Sequence, residues 1–168
     1  MCDFENSFHN AVNEVFSNAC LVGCLFHLGQ SVWRKINSLN LTSLYLHNEN
    51  MRLFCKMLVA LAFIPVDDAV EVFEKLQDEI PEDLDDLVAY FEDTYIGRPF
   101  HRRRRDPPFK PELWNIYDRI VRNLPKTNNA VEGWHRAFQT SLGYNHPTIY
   151  KFVEFLRLEQ DHTEKKAA

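Results

Sequence analysis

Glycine is scarce, with five in 168 residues, and most of the eight prolines fall at the ends of apparent elements. A helical protein needs that spacing, because both residues break a helix from within. The four cysteines, Cys2, Cys20, Cys24 and Cys55, lack the spacing of a disulfide framework. A reducing compartment, nucleus or cytosol, is the expectation. No apolar stretch follows a basic start, so no signal peptide is expected. No run reaches the roughly 18 apolar residues of a membrane span, so no membrane partner is expected. Internal repeats and low-complexity tracts are also missing. Neither sign of charge dominates. At a net charge of −5 the whole-molecule field does not announce a nucleic-acid binder.

What is present argues for a packed domain. Hydrophobic residues make up 45% of the chain and aromatics 13%, which argues against disorder. A chain of this length buries about 70% of its unfolded surface on folding.

The densest chemistry lies in Leu124 to Phe138, reading LPKTNNAVEGWHRAF. Asn128 and Asn129 are helix-starting residues. Val131, Trp134, Ala137 and Phe138 then share one helical face. Glu132 and His135 are one turn apart, so a carboxylate and an imidazole neighbour each other in a first turn. That pair suits metal binding or proton transfer. Equally, Asn129 and Glu132 form a variant capping box, in which Glu132 reaches back to the helix start.

Taken in order, Phe4, Phe8, Val12, Val15 and Phe16 recur at helical spacing, with Asp3 as the N-cap. Ala19 to Phe26 is an apolar run of strand length and reads as a buried strand. One strand makes no sheet, because its backbone donors and acceptors need neighbours. Leu28 to Ile36 reads as a helix. Cys24-x2-His27 offers a thiolate and an imidazole, with Cys20 just upstream, as zinc ligands. A structural Zn2+ site wants four ligands, and only His47 and Cys55 remain as isolated candidates. The alternative is a buried thiol and a packed histidine.

From Asn37 the pattern is helical throughout. Met51 to Ile64 ends at Pro65, and Asp67 caps a helix over Asp68 to Ile80. Asp83 to Ile96 follows and ends at Gly97. Asp67 to Asp93 is strongly acidic, as a solvated face would be. The sign then reverses. Arg98, His101 and Arg102-Arg103-Arg104-Arg105 stand among four prolines, which predicts an exposed basic loop. Such guanidinium clusters bind phosphate. A nuclear-import signal and a loop docked on the acidic helices are the rivals. Pro111 to Val121 opens a further helix with proline in its first turn. Thr148 to Gln160 reads as a last amphipathic helix, and the final HTEKKAA as a frayed tail.

Asp3, the run ending in Cys24-x2-His27, the long helical insertion and Thr127-Asn128-Asn129-x-x-Glu132, in that order, resemble the transposases of Mutator-like elements. FKPELWNIYDRIVRNLPKTNNAVEGWHRAF and HPTIYKFVEFL look like the animal, FLYWCH-associated type. The resemblance implies a mainly α chain that is the C-terminal portion of an RNase H-like α/β core. One strand of that core is retained, and an all-helical insertion is present. The implied segments are a core remnant over 1–36, the insertion over 37–97, a basic Pro-rich loop over 98–111 and C-terminal helices over 112–168. It implies DNA transposition, with two Asp and one Glu holding Mg2+ or Mn2+. Asp3 matches the second Asp and Glu132 the Glu. Cys24 and His27 match the family's Cys-x2-His, where Zn2+ is one option. Arg98 and Arg102 to Arg105 are the expected DNA contacts. DNA is the implied partner, with a homo-oligomer left open. The first catalytic Asp has no counterpart in the sequence, so the chain by itself is expected to be an inactive fragment. A domesticated DNA- or protein-binding module without catalysis is the alternative.

Overall fold

Leu28, Val32 and Ile36 recur every fourth residue along helix α2 (Leu25–Ser38), and all three are buried. That spacing gives a helix one apolar stripe, which must find a partner. In the computed structural model, which describes residues 1–16, 18–143 and 146–167, the stripe packs on α3 (Thr42–His47), α4 (Glu49–Ala60) and α6 (Asp85–Phe91). Helix α4 contributes Met51, Phe54, Cys55 and Leu58, and α5 (Ala69–Gln77) contributes Phe73 and Leu76. Asn48 caps α4 by accepting from the Met51 N–H at 3.2 Å.

The chain is mainly helical and divides into two compact units, Met1–Thr127 and Asn128–Ala168. In the first unit α6 runs into a π-helical turn, Glu92–Ile96, which Gly97 ends at a φ of 91°. Tyr95, on that turn, is buried among the rings of Phe91, Phe109 and Trp114. The Trp114 indole N–H donates to the carbonyls of Tyr95 (3.1 Å) and Phe109 (3.2 Å). This large ring is thereby buried without an orphaned donor. Proline at the first position of α7 (Pro111–Trp114) starts the turn that carries it. The expected single helix to Val121 breaks at Asn115 and resumes as α8 (Tyr117–Val121). The Asn115 side chain is engaged outside the helix, donating to the Ile64 carbonyl (2.7 Å) and accepting from the Tyr117 N–H (2.9 Å).

Ala19 to Phe26 does not form the expected strand. Its backbone makes one isolated parallel bridge, between Cys2 and Gly23, and Leu25 already opens α2. The Cys2 N–H donates to Val22 and the Cys24 N–H to Cys2, each at 2.9 Å, while the Gly23 N–H goes to the Leu113 carbonyl at 2.6 Å. These donors are satisfied by separate segments rather than by a neighbouring strand, so no ladder propagates. A Cβ on Gly23 would meet the Phe4 ring at 2.7 Å, so the close approach requires glycine.

Helix α1 (Asn6–Val15) begins later than its apolar spacing suggests. Glu5 is its N-cap residue and makes no side-chain cap. Asp3 is therefore not a cap. Phe4 lies before the helix and packs edge-on against Tyr95 and Phe109. Phe8, Val15 and Phe16 are exposed, and His9 is the buried member of α1. Its Nε2 lies 2.7 Å from the Asp3 carbonyl and 3.2 Å from Cys2 Sγ. The Cys2 thiol donates to the Val22 carbonyl, so an Nε2–H shared between Asp3 and the sulfur satisfies every group. Asp67 likewise caps nothing. It lies in a 3-10 turn, Val66–Asp68, which leads into α5.

The second unit pairs α9 (Asn129–Leu142) with α10 (Ile149–Ala167). Trp134 stacks on Phe138, Phe138 meets Phe152, and the Trp134 N–H donates to Glu159 at 2.9 Å. Gly143 ends α9 in the left-handed region at a φ of 65°. The expected frayed tail is instead the last part of α10, up to Ala167; Ala168 lies outside the described residues.

Candidate functional site

Every third or fourth residue on the face of α2 opposite its apolar stripe is polar: His27, Gln30, Ser31, Arg34, Lys35 and Ser38. These six side chains form one wall of a pocket of about 530 Å³, and Asp3, Phe4, Tyr90, Tyr95 and Phe109 form the rest. Pockets of roughly 300–1,000 Å³ accommodate small-molecule ligands.

Asp3 and His27 come together here. The Asp3 carboxylate is 2.9 Å from His27 Nδ1. That nitrogen is shielded from water, and the short approach to the carboxylate does not have the geometry of a hydrogen bond. Cys24, three residues earlier, is fully buried. Among the described residues no group of three His, Cys, Asp or Glu side chains is arranged to hold a metal ion. Among the described residues the Cys24/His27 pair therefore gathers no third Zn2+ ligand.

Further along the same wall, the Tyr95 hydroxyl donates to Ser31 (2.6 Å), and Ser31 is 2.6 Å from the Tyr90 hydroxyl. Burial pushes the Tyr95 phenol well above its usual range, so it stays a donor. Three O–H groups and two bonds leave one hydrogen over, on Ser31 or Tyr90. The Lys35 ammonium sits over the Tyr90 ring at 5.2 Å. Among the described residues neither Arg34 nor Lys35 has a carboxylate partner. Arg34, Lys35, Ser31, Tyr90 and Tyr95 were not among the site residues expected from sequence. The signal was the polar complement of the α2 apolar stripe.

The basic loop is more structured than its prolines suggest. Strands β1 (Pro99–Phe100) and β2 (Arg103–Arg104) form a two-residue antiparallel hairpin with His101 at a φ of 55°. Its arginines divide by environment. Arg104 is 15% exposed and bridges Glu74 (2.9 Å) and Glu92 (2.8 Å), two carboxylates of the acidic stretch. Arg98 pairs with Asp93 through Nε and Nη2, one to each carboxylate oxygen. Arg105 stacks on the Phe100 ring at 4.6 Å. Arg102 and Arg103 are exposed and have no acidic partner among the described residues.

Glu132 belongs to the second unit and Asp3 to the first. Asn129 is the first residue of α9, and no capping box forms. The turn closes through the backbone carbonyl of Asn128, which accepts from Val131 (2.9 Å) and Glu132 (3.0 Å). Glu132 is half-buried and His135 is exposed, edged against Trp134 at 5.2 Å. No hydrogen bond joins Glu132 to His135 among the described residues.

No protein-family model, curated protein or solved structure matches the chain.

Proposed function

We propose that the chain is a C-terminal part of a Mutator-like transposase, of the animal FLYWCH-associated type, and that these 168 residues do not cut DNA by themselves. The observation that carries this reading is the meeting of Asp3 and His27 in one pocket. The resemblance gives a role to each of those two residues, which lie in separate segments of the chain. In this reading Asp3 and Glu132 are two of the three carboxylates of an RNase H-like site. The chain supplies no third, and a two-ion site needs the charge of all three. Among the described residues no group of three carboxylate, His or Cys side chains fits a divalent ion.

The test is an endonuclease assay on supercoiled and linear DNA with Mg2+ or Mn2+. The chain alone is expected to leave DNA intact. Cleavage that disappears in both Asp3→Ala and Glu132→Ala overturns the claim of inactivity.

A second reading, a DNA-binding helical module without catalysis, is favoured by one feature. Arg102, in the turn of a hairpin that Arg104 fastens to the acidic stretch, and Arg103 beside it are exposed and have no acidic partner among the described residues. Such a hairpin offers two guanidinium groups to phosphates. Arg102→Ala/Arg103→Ala then flattens the slope of log affinity against log salt by nearly two, at about 0.9 per phosphate contact on duplex DNA. An unchanged slope excludes this module.

A further inference from the structure

We propose that the polar face of α2 is a binding track for phosphate ester groups, with Arg34 and Lys35 as its charge and the Ser31–Tyr90–Tyr95 hydroxyl chain as its neutral donor. The proposal stands on the pocket alone and does not depend on the transposase reading.

The argument is an inventory of donors and acceptors. Arg34 brings five N–H groups and Lys35 three, none of them taken by a carboxylate among the described residues. Gln30 adds an amide. The hydroxyl chain adds its one leftover O–H, and the raised Tyr95 phenol keeps that chain supplied with hydrogens. Ser38 adds nothing, because its hydroxyl already donates to the Lys35 carbonyl at 2.8 Å. The one carboxylate in the lining, Asp3, faces His27 at the far end. An anion with several oxygens matches this excess of donors. A neutral or cationic ligand would leave both charges unanswered.

Geometry narrows the class. From His27 to Ser38 the helix advances about 16 Å, so the track exceeds a single phosphate in length. Phe4, partly exposed and packed on the buried Tyr95 and Phe109 rings, supplies apolar ring surface on the facing wall, as a base or sugar attached to the phosphate requires. The basic hairpin is a separate surface, and its Arg104 is already bound to Glu74 and Glu92.

Two sources share this chemistry, a nucleic-acid strand and a free nucleotide. Titrations of the full chain with a fluorescein-labelled single-stranded decamer and with adenosine monophosphate separate them. The same titrations are run on Arg34→Gln/Lys35→Gln, on Ser31→Ala and on Lys56→Gln, an exposed lysine of α4 outside the pocket lining, with circular dichroism confirming that each variant is folded. The expectation is at least a tenfold loss for Arg34→Gln/Lys35→Gln, a smaller loss for Ser31→Ala and little change for Lys56→Gln. If the decamer binds with that pattern, the salt slope falls by about 1.4 in Arg34→Gln/Lys35→Gln, and the track takes a strand. If adenosine monophosphate alone binds with that pattern, the track takes a free phosphate ester. If neither binds, or if binding survives Arg34→Gln/Lys35→Gln undiminished, the proposal is wrong.

Discussion

Arg104 and Glu92 form an ion pair at 2.8 Å, with side chains 15% and 13% exposed. Two neighbouring arginines of the same run, Arg102 and Arg103, lie open to solvent. A run of four identical residues is thus split between holding the hairpin and leaving charge free. Breaking a partly buried pair leaves the remaining charge poorly solvated, which costs on the order of 2 kcal/mol. Arg104→Ala should destabilise the first unit by about that amount in urea denaturation. Arg103→Ala should stay within about 0.5 kcal/mol, as exposed substitutions do. Equal effects would show that the Arg104 bridge contributes nothing.

Gly97 joins the π-helical turn to that hairpin. Its φ of 91° is strained for any L side chain, and an added Cβ would overlap the Arg105 carbonyl oxygen. Gly97→Ala should cost more than the about 1–2 kcal/mol of a left-handed residue alone, because backbone must move as well. The urea midpoint of Gly97→Ala, compared with that of Gly29→Ala, checks this. Gly29 has open space around it.

Trp114 closes the aromatic cluster. Trp114→Ala should cost about 3–5 kcal/mol, the usual range for deleting a buried large ring. Trp114→Phe should cost less, because it keeps one aromatic ring in the cluster and loses the smaller ring of the indole with its two hydrogen bonds to Tyr95 and Phe109. Denaturation by urea, followed by circular dichroism, separates the two terms.

Cys55 predicts an alkaline weakness. Burial pushes its thiol from an ordinary 9.0 up to about 11. Above pH 9 the unfolded thiol loses its proton while the folded one keeps it. The unfolded state then binds fewer protons, and stability falls as pH rises. The contribution is complete below about pH 9 and is lost as pH passes about 11. Burial raises Cys2 and Tyr95 in the same direction. The slope of stability against pH over this window should therefore become shallower in Cys55→Ala without vanishing. An identical slope would show that Cys55 does not titrate differently on folding.

Helices with a one-faced apolar stripe were legible. Leu28, Val32 and Ile36 in α2, and Phe54 and Leu58 in α4, announce their own burial. Ala19 to Phe26 was not legible, because a short apolar run has no period that separates strand from buried coil. What decides it is distant: Leu113 takes the Gly23 N–H, and Phe4 occupies the space beside Gly23. Asp3 looked like a cap for the same reason, since its partner His27 lies across the fold. The division of the arginines was invisible too, because sequence shows a run of charge and not which member faces Glu92. Asp3, Cys24, His27 and Glu132 were singled out by motif, whereas Arg34 and Lys35 emerge only when α2 is laid against Tyr90 and Tyr95.

The most direct test of the central claim is to sequence the transcript upstream of the codon for Met1. The account predicts an open reading frame that continues through strand-like segments and supplies the remaining aspartate of a transposase site. An in-frame stop immediately upstream, with a native protein whose N-terminus is Met1, would contradict it.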